Sequence, residues 1–561
     1  MNRERLDAIA RERIIVLDGA MGTMVQTYRL TEAEFRGSRF ADHPQNLAGM
    51  NDVLCLTRPG VIAEIHAAYL AAGADIIETC SLNATAVSLA DYGLADAAYE
   101  ISRAAARIAR EAAGRFSTPE KPRFVAGSIG PTNKSGSMPP DFDHPEKRAI
   151  TWDLLEAAYY DNVRGLLDGG ADILLAETCF DTLNAKAAIA AVNRLCAERR
   201  EDIPLMLSAT ITGAPARLLS GESIEAFIAA TLHADLWALG FNCSFGAEKM
   251  LEPLRRLAAL PCLVSAYPNA GLPGTSGVYD ETPRLMGDHV EAFFTEGLVN
   301  IAGGCCGSTP DHIVEIAARA EKYRPRHIPV RARNAVFAGR EAFTVDAART
   351  EPLRGGGPAA PEENRTFITL IKEGNFDGAV EMLASAAERG DEVIVIAVDD
   401  AFPGDTGSIA GLVNTALVHP CVAAKPFLIE CPRWDITEAA IKCVTGKPLA
   451  ALFTGDFSIE DAAKDGGAEL LRRAKDVRAW GAAAAAALPG ENGPGGEERQ
   501  IAAARYVYNL LAGAGFPVED MVFYPARGAA AEHFSAVYAW IREHCPRAGT
   551  LWYSAADGIA R

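Results

Sequence analysis

Residues 171–211 read ADILLAETCFDTLNAKAAIAAVNRLCAERREDIPLMLSATI. The stretch opens on an apolar run from Ala171 to Thr178, enters a segment with apolar residues at three- and four-residue spacing, and returns to an apolar run from Pro204 to Ile211. A short unbroken apolar run is the pattern of a strand buried on both faces, and the segment between has the period of a helix. Strand, helix and strand in that order make one β-α-β unit, whose strands lie parallel.

The same alternation extends in both directions. The strand candidates are Ile14–Gly19, Ala74–Leu82, Phe124–Gly130, Ala171–Thr178, Pro204–Ile211, Leu236–Ser244, Cys262–Asn269 and Leu298–Cys306. VIAEIHAAYLAAG and WDLLEAAYYDNVRGLLDGG supply helices between them. Eight such repeats predict an α/β fold in which residues 1–325 form a (β/α)8 TIM barrel. The alternative is an open doubly wound sheet, but no G-x-G-x-x-G follows the first strand.

KYRPRHIPVRAR, Lys322–Arg333, is basic and carries two prolines, which predicts a linker at 326–333 leading to a second unit at 334–561. Its strand candidates are Ala335–Gly339, Val393–Asp399, Pro426–Cys431, Leu449–Thr454, Trp480–Leu488, Met521–Pro525 and Thr550–Ser554. Between the first two lies TEPLRGGGPAAPEEN, whose composition predicts a flexible Gly/Pro-rich insertion at 350–364. Seven strands predict an incomplete or divergent TIM-barrel-like domain. Either the count is one short, the domain is open, or another chain completes it, since a missing strand leaves two unpaired edges.

The chain has 561 residues, 49% hydrophobic, with 54 Lys plus Arg against 73 Asp plus Glu. A formal charge of −19 repels a phosphate backbone or an anionic leaflet, so no nucleic acid and no membrane is expected as partner. No apolar run reaches the roughly 18 residues of a membrane span, and the N-terminal stretch lacks the apolar core of a secretory signal. A cytoplasmic protein is expected. Twelve cysteines are too few for a disulfide scaffold and in a reducing compartment serve as core residues, nucleophiles or metal ligands.

Two cysteine segments stand out: GFNCS with Cys243 at the end of the sixth strand, and GGCCG with Cys305 and Cys306 at the end of the eighth. Carboxyl ends of barrel strands are where such barrels keep their active sites. Adjacent side chains on a strand face opposite ways, so Cys305 and Cys306 can share an ion only where the backbone leaves strand geometry, and the flanking glycines permit that. Three thiolates at about 2.3 Å with a fourth position open make a catalytic type of zinc site. The other reading of the residues is three buried small hydrophobes or a redox pair. Three thiolates make zinc a poor acid toward water and leave a bound sulfur electron-rich. Such a site suits alkyl transfer to a substrate thiol better than hydrolysis, since coordination ionises a thiol.

LDGAMGTMVQ, GADIIETCSLNAT, GSIGPTN, LLAETCFDTLNAKAA, YPNAGLPG and IAGGCCGSTPDHI together resemble, in order and across roughly residues 11–320, the homocysteine S-methyltransferase domain of cobalamin-dependent methionine synthase. The resemblance implies a zinc held by Cys243, Cys305 and Cys306 that binds the sulfur of homocysteine, with Asp18 and Glu177 on the substrate ammonium. The backbone amides of Gly19, Ala20 and Met21 could take the substrate carboxylate. Glu78, Asn83 and Asn269 are candidates for bracing the pocket.

The second half resembles in outline the methyltetrahydrofolate-binding (pterin-binding) barrel of the same enzymes. The polar positions differ: Gly339, Arg340, Glu341, Ala342 and Phe343 stand where that family has GERTN, Ala397, Val398 and Asp399 stand for its D-x-N, Tyr524 precedes Pro525, and the last strand ends in SAADGIAR. Missing polar partners for a buried ring cost about 1 to 3 kcal/mol each, so weak or no folate binding is expected. No D-x-H-x-x-G occurs, which implies that methylcobalamin, if it is the donor, arrives on a separate corrinoid protein. The other expectations are a small donor, S-methylmethionine or betaine, or a non-catalytic subunit of a split methionine synthase.

Overall fold

A computed structural model describes the chain except residues 1, 274–278, 331–333, 347, 359, 399–404, 455–457, 490–495, 527–530 and 554–561. Asp399, SAADGIAR and part of the expected linker therefore lie outside the described residues. Two compact units emerge: Met1–Lys134 with Asp153–Leu219 and Asp235–Arg331, and Ser135–Trp152 with Ser220–Ala234 and Ala332–Arg561.

The first unit holds eight parallel strands, β1 (Ile15–Val16), β2 (Ile76–Glu78), β3 (Phe124–Ile129), β4 (Ile173–Cys179), β5 (Leu205–Ala209), β6 (Leu236–Gly246), β7 (Leu263–Asn269) and β8 (Ile301–Ala302), one on each expected segment, with β4 running one residue and β6 two residues beyond it. The sheet runs β1-β8-β7-β6-β5-β4-β3-β2. A bridge from Leu17 to Ile76 and the bond from Asp18 N to Ile76 O bring its two ends together into a nearly closed barrel. The stretch that opened the sequence reading forms β4, the helix Thr182–Arg199 and β5. Asp181 starts that helix by accepting from the backbone N–H groups of Leu183 and Asn184, satisfying donors that have no partner in the first turn.

Inward-facing Ile15, Leu17, Ile76, Ala126, Leu175, Met206, Ala238 and Ile301 fill the interior, each large one contributing about 1.5–3 kcal/mol by leaving water. The N-terminal helix Asn2–Glu12 stoppers the amino end: Leu6 and Ala10 join the same cluster and Trp237 donates its indole N–H to Asp7 at 2.8 Å. Arg326 and Ile328, at the start of the expected linker, also belong to this barrel. Arg326 donates to the carbonyls of Leu257, Ala258, Leu260 and Cys262, and Ile328 packs on the core.

The second unit departs from the expected strand assignment in two places. Ala335–Gly339 contributes β9 (Val336–Ala338), which pairs antiparallel with β10 (Ala342–Thr344) and stays outside the barrel. The first barrel strand is instead β11 (Leu353–Gly356), inside the stretch expected to be a flexible insertion. It joins β12 (Val393–Ala397), β13 (Phe427–Glu430), β14 (Leu449–Ala451), β15 (Ala483–Leu488), β16 (Met521–Pro525) and β17 (Gly549–Tyr553) in a closed parallel barrel.

Glycine content was misleading at β11 because its glycines answer to packing. A Cβ on Gly355 would stand 2.8 Å from Leu551, and one on Gly356 would collide with the Asp391 carboxylate. The chain can pass there only without side chains. Closure by β11 against both β12 and β17 leaves neither edge for another chain to complete. Among the described residues no helix is long and apolar enough to cross a membrane.

Candidate metal centre and substrate pocket

Alternation along β6 puts Ala238 inside the barrel, and Asn242 falls on the same side; Cys243 would then face outward. It does not. Cys243 takes a left-handed conformation, φ 56°, and the pairing of β6 with β7 shifts register between Asn242 and Gly246. Such an irregularity re-aims a side chain. Beyond β8 the chain passes so close to β1 that a Cβ on Gly303 would lie 2.7 Å from Leu17 Cβ and 2.9 Å from Asp18 O. The path is then fixed by backbone bonds, Gly304 N to Asp18 O, Cys305 N to Pro268 O and Ala270 N to Cys306 O. Strand geometry has ended, and both cysteines turn to one side.

The result is a triad. Cys243 Sγ and Cys306 Sγ stand 3.5 Å apart, and the three sulfurs of Cys243, Cys305 and Cys306 all lie within 4.8 Å of one another. Tetrahedral zinc with bonds of about 2.3 Å requires sulfurs roughly 3.8 Å apart, so the donor set fits such an ion by number, kind and spacing. Bonds from Cys243, then Cys305, then the Tyr279 hydroxyl hold the Cys306 thiol far below its ordinary value, at about 3. The hydrogen bonds with Cys243 and Cys306, followed by burial, push Cys305 upward. Without a cation the cluster shares its protons.

Beside the sulfurs lie three acids. Asp18 is 2% exposed and Glu177 5% exposed. Asp18 Oδ2 accepts from Glu78 N at 3.1 Å, while Asp18 Oδ1 and Glu78 Oε1 are buried without a hydrogen-bond partner. Glu177 accepts from Ser128 Oγ at 2.5 Å. Burial pushes all three carboxyls up: Glu177 to about 7, Asp18 with the charge of Glu177 adding to the effect, and Glu78 with those of Glu177 and Asp18. Among the described residues no Lys, Arg or His pairs with any of them. Burying carboxylates without a cation is costly, and a ligand ammonium would relieve that cost.

The remaining expected residues divide. Asn269 is buried at the rim, where its Nδ2 donates to Cys243 O at 3.1 Å while Oδ1 has no partner. Gly19, Ala20 and Met21 lead from β1 into the helix Met21–Thr27. The Ala20 N–H already donates to Ser308 Oγ at 3.2 Å, so that amide is not waiting for a carboxylate. Asn83 is exposed and its backbone N–H goes to Asp52.

Several residues of the site went unread in the sequence. Tyr267, on β7, is fully buried with its hydroxyl unpartnered. The Tyr69 hydroxyl joins the first turn to the last, standing 3.1 Å from both Ala20 O and Ser308 O and sharing its one proton between them. Asn242 Oδ1 accepts from Thr178 N at 3.0 Å and Ser208 Oγ at 2.7 Å; its Nδ2 donates to Thr178 Oγ1 at 2.8 Å and Cys305 Sγ at 3.8 Å. The one signal for Asn242 was its position: an amide on the inward face of an apolar strand.

Of the expected folate positions, Arg340 and Glu341 keep charged side chains, and the others described carry little polarity. Gly339 to Phe343 run through the turn of the β9–β10 hairpin, Ala397 ends β12 as part of the apolar interior, and Val398 is buried. Tyr524 lies in that interior, and Tyr553 donates its hydroxyl to Glu430.

Residues 15–320 match a family model described as Homocysteine S-methyltransferase. Among solved structures, the homocysteine methyltransferase MmuM from Escherichia coli in its oxidised form is 24% identical, with 56% of this chain and 98% of that one covered and a TM-score of 0.45. Its metallated form is 25% identical, with 56% and 99% covered and a TM-score of 0.44. A B12-independent methionine synthase from Shewanella sp. W3-18-1, in complex with selenomethionine, is 12% identical, with 48% and 88% covered and a TM-score of 0.28.

Proposed function

The chain belongs to the homocysteine S-methyltransferase family, a family of methyltransferases, and from that membership we propose that it methylates the thiol of homocysteine to give methionine at a zinc held by Cys243, Cys305 and Cys306. The observation that carries this reading is the juxtaposition at one barrel mouth of three convergent sulfurs and three buried carboxylates that no cation among the described residues neutralises. Zinc bound there would hold the substrate sulfur as a thiolate at neutral pH.

Everything else falls to the chain. Asp18 and Glu177 hold the substrate ammonium, with Glu78 behind them. The amides of Gly19 and Met21 face the substrate carboxylate while Ala20 serves Ser308. Asn269 fixes the Cys243 carbonyl and so the approach to the sulfurs. In the transfer the sulfur–methyl bond forms and the donor–methyl bond breaks, its electron pair staying with the donor.

The donor is methylcobalamin carried by a separate corrinoid protein, in a cytoplasm reducing enough to keep the thiols free. The C-terminal region, 334–561, is a divergent relative of pterin-binding barrels that binds methyltetrahydrofolate weakly or not at all, because Ala342, Phe343, Ala397 and Val398 offer a ring no side-chain polar partner. The test incubates zinc-loaded protein and homocysteine with a methylcobalamin protein, S-methylmethionine, betaine or methyltetrahydrofolate, and measures methionine. Methionine from the corrinoid protein alone is expected. Methionine from a free small donor would move the protein to that donor class, and none from any donor, or full activity in zinc-free Cys305→Ala, would end the reading.

A further inference from the structure

Two backbone irregularities flank this pocket, and one side chain joins them. On β4 the register toward β5 shifts between Ala176 and Cys179, and Thr178 sits at φ 55°. A β-branched residue in the left-handed region is rare and strained, and persists only where its surroundings impose it. On β6 the second irregularity is at Cys243, φ 56°. Asn242, fully buried and next to Cys243, reaches across β5 to Thr178.

A primary amide has two N–H donors and a carbonyl that accepts twice. In Asn242 all are used: the carbonyl by Thr178 N and Ser208 Oγ, the amino group by Thr178 Oγ1 and Cys305 Sγ. The assignment of oxygen and nitrogen is forced, because flipping the amide would set its N–H against that of Thr178. One buried group, adjacent in sequence to Cys243, thus touches the residue following Glu177, Ser208 on β5, and the sulfur of Cys305.

We propose that Asn242 is a positioning residue that sets the span between the ammonium end and the sulfur end of the pocket, and with it the substrate length the site accepts. It clamps Thr178 in the left-handed conformation that aims Glu177 inward and at the same time anchors Cys305. This rests on the reading of the pocket as a homocysteine site. Homocysteine and cysteine carry the same ammonium, carboxylate and thiol and differ by one methylene, so a site that fixes acid and sulfurs at a set separation distinguishes them by length. Releasing Thr178 frees Glu177 from that separation while leaving three sulfurs for a metal.

The experiment uses the full chain, zinc-loaded, with wild type, Asn242→Ser, Ser208→Ala, and Asn242→Ser combined with Thr178→Gly. Homocysteine and cysteine affinities are measured by calorimetry, zinc retention against a chromophoric chelator, and exchange of the Thr178 amide by mass spectrometry. Asn242→Ser is expected to weaken homocysteine binding about tenfold, as for loss of a hydrogen bond or two at a charged site, to narrow the preference over cysteine, and to keep its zinc. Its Thr178 amide exchanges faster. Glycine at 178 adopts positive φ without strain, so the double variant recovers affinity to within about threefold of wild type.

A merely packing role for Asn242 would give no such recovery, and its absence in a folded double variant overturns the proposal. So does unchanged Thr178 exchange in Asn242→Ser, a readout that needs no substrate. If Asn242→Ser does not fold, Ser208→Ala decides, since it removes a single anchor of the amide: weaker homocysteine binding supports the proposal and unchanged binding overturns it. Failure of wild type to bind homocysteine at all counts against the functional reading instead, with the exchange result still judging the clamp.

Discussion

Replacing Glu177 by Gln separates what the pocket costs the free protein from what it gives the ligand. Glu177 is buried, accepts a hydrogen bond from Ser128, and has its carboxyl raised from 4.5 to about 7, chiefly by burial. At 1.36 kcal/mol for each tenfold change, that rise corresponds to about 3 kcal/mol against the ionised form. The folded protein therefore holds this proton more tightly than the unfolded chain. The contribution of Glu177 to stability falls as pH climbs from 4.5 to about 7 and is flat above, because the unfolded state binds fewer protons at this group over that window. Glu177→Gln removes this share of the slope and leaves those of Asp18 and Glu78. Without homocysteine the variant should melt several degrees above wild type at about pH 8 and together with it at about pH 4.

Homocysteine reverses the ranking. An ammonium bonded to the ionised carboxylate is worth about 1.5–3 kcal/mol more than one bonded to nothing charged, so the variant should bind homocysteine about 10- to 150-fold more weakly. Thermal melts at the two pH values and a calorimetric titration with homocysteine test both halves. Equal homocysteine affinity, or a variant less stable than wild type at about pH 8 without ligand, would refute the assignment of Glu177 as an acid held uncompensated for a cationic ligand.

Three further outcomes follow from the geometry. Cys305→Ala should lower zinc affinity by at least about 100-fold and abolish methionine formation, since two thiolates remain; dialysis followed by metal analysis checks it, and stoichiometric zinc would count against the triad. Gly303→Ala places a Cβ 2.7 Å from Leu17 and 2.9 Å from the Asp18 carbonyl, and should cost about 1–3 kcal/mol as overpacking, read as a lower Tm together with weaker zinc retention. Lys447→Met leaves Asp520, its partner at 2.5 Å, buried and unpaired, and should destabilise the second barrel by about 3–5 kcal/mol with zinc content unchanged; an unaltered denaturation midpoint would show the pair to be dispensable.

Periodicity exposed the first barrel because its strands are buried on both faces and its helices on one, so each leaves its own mark on the sequence. The mark fails where a strand is short in side chains. Leu353–Gly356 has one large apolar residue and two glycines, and what makes it a strand is the bulk of Leu551, Val395 and Asp391 on neighbouring elements. That information is non-local, and composition alone turned the segment into an insertion. Ala335–Gly339 erred the other way. It has the apolar content of a barrel strand, but its partner lies a few residues on, at Ala342–Thr344, and a local antiparallel hairpin satisfies its backbone first.

At the site the residue types were legible and their convergence was not. Cysteines and acids at strand ends announce chemistry, yet strict alternation would turn Cys243 away from the other two sulfurs. What turns it back is a left-handed residue and a register shift, and the matching irregularity at Thr178 is held by an asparagine from two strands away. Neither Cys243 nor Thr178 favours positive φ by itself, so no propensity argument would put a bulge at either. The strain is sustained because each distorted backbone is tied to buried hydrogen bonds that an undistorted one would leave open. It follows that the geometry of the sulfur cluster is a property of the nearly closed barrel: loosening the rim at β4 should be felt at Cys243, Cys305 and Cys306, even though no residue of β4 supplies one of the three sulfurs.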